Sequence, residues 1–234
     1  MQDKVVMVVG ATGGIGRAVS QELAAQGATL VLAARTESHL QELASELNTQ
    51  TLIIPTDITQ PQQVEELMQK TVAEMGRIDV LINAAGAGVL KQYNKITPED
   101  LDLMLALNLK GSFYTSQGAA NIMKDQKSGH ICNVIGILGK HSMAMAAAYC
   151  ASKFGVVGFS KSMAEELKRY GIKFTLFYFG GIDSSFWDQV SLKVDRTKML
   201  SPETAAQAIM FALNSPPGAV PMEINIQPES HLFF

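Results

Sequence analysis

The chain has 234 residues, 47% of them apolar and 18% charged, with a net charge of −3 and a pI of about 5.8. That is enough apolar material for one sizeable core, and the absence of a Lys/Arg run argues against nucleic acid or an anionic membrane surface as main partner. Cys132 and Cys150 stand apart, with no CxxC or His-rich neighbourhood, so neither a disulfide framework nor a metal site is expected.

The N-terminus opens on a strand pattern, Lys4 to Val9, that runs straight into glycines. No basic region precedes a long apolar stretch, and no uncharged apolar run reaches membrane-spanning length. The expected compartment is the cytoplasm, with no membrane contact.

Strands are predicted at Lys4–Val9, Thr29–Ala34, Thr51–Pro55, Ile78–Asn83, His130–Ile135, Ile172–Phe179 and Met222–Ile226. Most are continuously apolar rather than alternating, as strands covered on both faces are. Helices are predicted at Ala18–Gln26, His39–Leu47, Gln62–Met75, Pro98–Lys124, Ala144–Tyr170 and Pro202–Leu213, from apolar residues at three- and four-residue spacing. Gly27, Gly76 and Gly171 fall where helices should stop, and Thr97-Pro98 and Ser201-Pro202 read as a cap followed by proline at the first helical position. This alternation predicts an α/β fold, a doubly wound parallel seven-stranded sheet with helices on both faces. No repeat, low-complexity tract or long linker divides the chain, so residues 1–234 are expected to form one domain.

Gly10-Ala-Thr12-Gly-Gly14-Ile15-Gly16 joins the first strand to a helix. A dinucleotide pyrophosphate needs backbone N–H groups at a helix N-terminus with no Cβ in the way, and this turn offers them. Ala34 and Arg35 close the second strand. A carboxylate there would hold the ribose 2′-OH, whereas an arginine suits a 2′-phosphate, so NADP(H) is favoured over NAD(H).

Tyr149 and Lys153 stand four apart in a helical stretch and share a face. A tyrosine hydroxyl titrates near 10 and needs a neighbouring cation to work as an acid–base group at neutral pH. Alone, the pair is common on helix surfaces. Within Tyr149-Cys-Ala-Ser-Lys153-Phe-Gly, and behind the glycine turn, it resembles the short-chain dehydrogenase/reductase family.

The resemblance runs over essentially the whole chain and implies roles for further residues. Asn83-Ala84-Ala-Gly86 resembles the family's segment beside the cofactor, and Asp57-Ile58 its adenine contact. Asn108 matches the asparagine that supports a proton relay to the lysine. Gly-Gly-Ile182-Asp-Ser184 resembles the nicotinamide loop, with Ile182 at the carboxamide and Ser184 supplying a hydroxyl. The implied chemistry is hydride transfer between NADP(H) and a carbonyl or alcohol. Tyr149 is the proton donor, Lys153 lowers its pKa and holds the ribose, and Asn108 keeps the proton path.

Two positions depart from the family pattern. Thirteen residues before Tyr149, where a serine usually polarises the substrate carbonyl, stands Gly136; one lost donor of this kind costs on the order of a hundredfold to a thousandfold. Phe179 replaces a proline, which is expected to loosen the following loop and add bulk near the cofactor. Three readings of Gly136 stay open. A substrate group or a water fills the space, or the protein binds dinucleotide with little turnover, or the pocket of a working reductase has been altered by mutation or redesign.

The substrate cleft is expected outside the strands' carboxyl ends, walled by Gly136–Ala144, Gly86–Tyr93 and Ser184–Met199. Its candidate lining is Gly136, Ile137, Leu138, Met143, Met145, Phe179, Phe186, Trp187 and Met199, which suits a hydrophobic ketone or aldehyde and its alcohol. His141 is expected on a solvent-facing loop. The family's habit implies a homodimer or homotetramer through the helices carrying Asn108 and Tyr149. The apolar tail His231–Phe234 fits burial against a partner subunit.

Overall fold

The computed structural model describes residues 1–190 and 192–233, with the side chain of Gln189 outside the description. Seven parallel strands form one sheet: β1 Val5–Val9, β2 Thr29–Ala34, β3 Thr51–Pro55, β4 Val80–Asn83, β5 Gly129–Val134, β6 Ile172–Phe179 and β7 Glu223–Ile226. Their order is β3-β2-β1-β4-β5-β6-β7. It reverses between β1 and β4, where a ligand crevice forms in folds of this Rossmann type.

Period-two side chains explain the two cores. Val6 and Val8 point to one face, against α1 (Gly14–Ala25), α2 (Glu37–Glu46) and α7 (Pro202–Leu213). Val5, Met7 and Val9 point to the other, against α3 (Pro61–Met75), α5 (Ser112–Gln126) and α6 (Ala147–Leu167). A third apolar cluster, including Ile137, Leu138, Val156 and Tyr178, lies at the crevice end of β5 and β6. Seven parallel strands with helices on both faces agree with the sequence reading.

Capping follows the sequence too. Thr97 and Asp100 form a reciprocal capping box at the start of α4 (Pro98–Met104), and the Ser201 hydroxyl accepts from Thr204 N–H at 3.3 Å.

Three elements differ from expectation by more than two residues, and several others by one or two. The first helix starts at Gly14, not Ala18, because its opening turn consists of glycines that carry no apolar period. The predicted helix Pro98–Lys124 is α4, a π-helical segment Leu105–Gly111 and then α5. The last long helix begins at Ala147 rather than Ala144 and ends at Leu167, followed by a short 3₁₀ turn to Tyr170. Among the described residues no helix is long and apolar enough to cross a membrane.

Candidate active site

β1 ends in the glycine turn, whose glycines are required by close approach. Gly10 has φ +80°, and a Cβ there would lie 2.5 Å from the Ala85 backbone nitrogen beyond β4. A Cβ on Gly16 would meet the Gly10 carbonyl oxygen at 2.1 Å, so Gly16 packs the helix against the strand rather than facing the crevice. Gly14 makes room for the loop after β6: its Cβ would sit 2.8 Å from that of Ser184.

A cavity of about 910 Å³ extends from this turn to the ends of β4, β5 and β6. Gly10, Thr12, Gly14, Ile15, Arg35, Asp57, Ile58, Ala84, Gly86, Ile182 and Ser184 line it. The glycine cradle and the backbone approach it permits fit a dinucleotide. Arg35 is exposed, and among the described residues no carboxylate lies within ion-pair distance of it. Arg17, the nearest alternative cation by sequence, is engaged with Glu42 at 3.1 Å and Glu46 at 2.6 Å.

Three expected site residues lie behind the lining. Gly16 is buried in the turn. Asn83 donates to Ser116 Oγ at 3.1 Å and to Asn133 Oδ1 at 2.8 Å, and accepts from Thr115 at 2.8 Å, tying β4 to β5 and α5. Asn108, fully buried in the π segment, accepts from Ala87 N–H at 3.0 Å and donates to Ala87 O at 3.0 Å and Ser152 Oγ at 3.1 Å. Its side chain therefore splints the loop after β4 to α6. Gly86 passes between the pair, where a Cβ would meet Asn108 Oδ1 at 3.2 Å and Lys153 Nζ at 3.4 Å.

Tyr149 and Lys153 project from the first turns of α6 into the cavity, as four-residue spacing requires. Lys153 Nζ donates to the Val134 carbonyl at 3.2 Å and lies 5.7 Å from the Tyr149 ring centroid. Burial pushes the Lys153 ammonium down to about 8 and the Tyr149 phenol above its ordinary value, with Cys150 adding to the latter. Desolvation of the phenolate outweighs a cation that is itself buried and shared with a backbone carbonyl.

At the end of β5, Gly136 has φ +87°, a region closed to most side chains, and a Cβ there would lie 3.4 Å from Tyr149 Oη. No serine fits this backbone unstrained. Phe179 stays in register with Ile226 and is stacked on Phe177 at 5.7 Å, while Gly180 N–H donates to Ile226 O at 2.9 Å. The expected loosening is therefore absent at the start of the loop, because β7 holds it.

Ile137, Leu138, Met143, Phe179, Phe186, Trp187 and Met199 line the cavity; Met145 does not. Tyr93, at the far end of the Gly86–Tyr93 wall, is 84% exposed, and Leu90 takes the inward position instead. Within the Ser184–Met199 wall, Ser191 lies outside the described residues. Phe186 reaches across to Gly88, where a Cβ would sit 2.3 Å from its ring, and packs edge-on against Tyr149 with centroids 6.0 Å apart. Trp187 Nε1 donates to Ile182 O at 2.8 Å.

The sequence reading missed His231 and Phe233 in the lining, and gave the Ser184–Met199 wall without singling out its Leu192, Val194 and Lys198. They come from segments without strand or helix periodicity. His141 is half-buried and stacks on Phe233 at 5.5 Å rather than facing solvent alone. In the tail, His231–Phe233 folds onto its own chain, and Phe234 lies outside the described residues.

Known proteins resemble this chain over its whole length. An oxidoreductase of Staphylococcus aureus is 33% identical over 229 residues, covering 97% of this chain and 98% of its own. One from Staphylococcus epidermidis is 30% identical over 228 residues with the same coverage. Among solved structures, a metagenomic short-chain oxidoreductase in complex with NADP aligns at TM-score 0.85 with 27% identity, covering 97% of this chain and 98% of its own. An archaeal alcohol dehydrogenase from Thermococcus sibiricus shares the fold at TM-score 0.91, 23% identity and 99% coverage of both chains. The family model described as short chain dehydrogenase matches residues 4–195, which take in the glycine turn, the π segment and the Tyr149–Lys153 pair. With fold, crevice and relatives in agreement, the chain belongs to the short-chain dehydrogenase family of oxidoreductases.

Proposed function

We infer that the protein is an NADP(H)-dependent oxidoreductase interconverting a hydrophobic ketone or aldehyde and its alcohol. The observation that carries this reading is Tyr149 beside Lys153 at the floor of the same cavity that the glycine turn opens. The bound dinucleotide supplies or accepts the hydride. Tyr149 hands its phenolic proton to the carbonyl oxygen in reduction. Lys153 provides the positive field that favours its departure, and Asn108 holds the loop and helix at the spacing both need.

Arg35, with no carboxylate at ion-pair distance among the described residues, would pair with a 2′-phosphate, and the solved relative with 27% identity was found with NADP. The apolar lining favours substrates without charge. Exposed Leu101, Leu103 and Phe154, on α4 and α6, support association through these helices as a homodimer or homotetramer.

The test is NADPH consumption over a panel of ketones and aldehydes. Turnover should fall on the order of a hundredfold or more in Tyr149→Phe. Turnover indifferent to that substitution, or a preference for anionic substrates, overturns the reading. Gly136 favours a second reading, a dinucleotide-binding protein with little catalysis. Tight NADPH binding without consumption of any carbonyl would select it.

A further inference from the structure

We propose that Phe233 is the end wall of the substrate cavity and limits the length of the apolar group a carbonyl substrate carries. Phe233 lines the main cavity and packs on the apolar cluster that also receives Tyr149 and Phe186. Its ring is stacked on His141 with centroids 5.5 Å apart, so it rests on the loop that follows Gly136.

The tail is held there by a specific clamp. The Gln227 side-chain amide accepts from Phe233 N–H at 2.8 Å and donates to Phe233 O at 3.0 Å, satisfying both backbone groups as a neighbouring strand would. His231 N–H closes a turn on Pro228 O at 3.0 Å, and Ser230 Oγ donates to Lys198 O at 3.2 Å, joining the tail to the loop on the opposite wall. A ring fixed by three attachments is a wall of set position. Removing it lengthens the cavity without touching the glycine turn, Tyr149 or Lys153.

This rests on the carbonyl-reductase reading, so the test separates the two. Native protein, Phe233→Ala and Gln227→Ala are given butanone or its longer aryl homologue benzylacetone. Turnover is followed by NADPH consumption, and binding to the NADP⁺-loaded protein by calorimetry. Phe233→Ala should shift the kcat/KM preference toward benzylacetone by roughly tenfold, with NADP⁺ affinity unchanged. Gln227→Ala, which keeps the ring but frees the backbone, should shift it the same way by less, and it carries the test if Phe233→Ala folds poorly. A purely structural role would lower both substrates together, and an unchanged ratio in both variants overturns the wall. If the native protein binds the ketones without reducing them, the reductase reading fails and the binding ratio still decides the wall. If it binds neither, both fail.

Discussion

Lys153 donates from Nζ to the carbonyl oxygen of Val134 at 3.2 Å, joining the cavity face of α6 to the end of β5 two residues before Gly136. One of the three ammonium protons is thereby fixed, and the charge is buried with it. Burial holds this lysine near 8, so its positive form is complete only below that pH. The kcat/KM for carbonyl reduction should therefore have an alkaline limb near pH 8. Lys153→Arg, which stays charged, should move that limb upward even if the plateau falls. A limb that does not move with the arginine assigns it to another group.

His130 sits in β5 with Nε2 2.8 Å from Thr175 Oγ1, and that hydroxyl gives its own proton to Pro221 O at 2.7 Å. The ring nitrogen must be the donor in this chain, which requires the neutral Nε2–H tautomer. Burial, with Lys173 nearby, lowers His130 to about 4 from the ordinary 6.5. The unfolded chain then binds more protons between those values, so stability is full above pH 6.5 and is lost as pH falls toward 4. The slope should reach about 1.4 kcal/mol per pH unit. Urea midpoints measured from pH 7 to 4 should show this slope in the native protein and a flatter one in His130→Gln.

Gly136→Ser should not restore the missing donor. The backbone at φ +87° strains any side chain, although a Cβ there would only touch Tyr149 Oη, at 3.4 Å. A loss of about 1–3 kcal/mol is expected, read as a lower Tm, with no gain in turnover. A faster serine variant would mean that the β5 end rearranges readily. Gly158→Ala, on α6 with open space around it, should instead stabilise the isolated chain by about 0.5–1 kcal/mol. A loss there would signal a second copy packed on that helix.

Arg196 is the tie of the loop over the cavity. Its guanidinium reaches Asp183 at 2.5 Å, Asp188 at 2.7 Å and the Ser184 carbonyl at 3.0 Å. Arg196, Asp183 and Asp188 are all well exposed, so breaking these pairs should leave the global Tm nearly unchanged. Arg196→Ala should nevertheless speed amide exchange across the loop and raise KM while leaving kcat nearly unchanged. Unaltered exchange would show that Trp187 and Phe186 hold the loop without it.

The strands and most helices were legible because their apolar periods are long and uninterrupted, as in Thr29–Ala34 and Pro202–Leu213. The π segment around Asn108 was not, since Leu101, Met104, Leu105 and Leu109 keep three- and four-residue spacing that reads as one helix although the hydrogen-bond spacing widens there. Glycine spacing placed the dinucleotide turn, yet did not reveal that Gly14 serves contact with Ser184 as much as any ligand. His231 and Phe233 escaped notice as lining residues for a simpler reason. They lie in irregular chain, where position is set by partners such as Gln227 that are distant in kind from any local pattern.

The seam between β1 and β4 carries one more consequence. Val6 against Val80 is the longest-range pairing in the sheet. Closing that span has the largest loop entropy to overcome, and no hairpin shortens the route. The two halves can therefore collapse separately before the crevice exists. During refolding, the capacity to bind a dinucleotide should emerge after most of the helical signal, as a late event in the life of the chain.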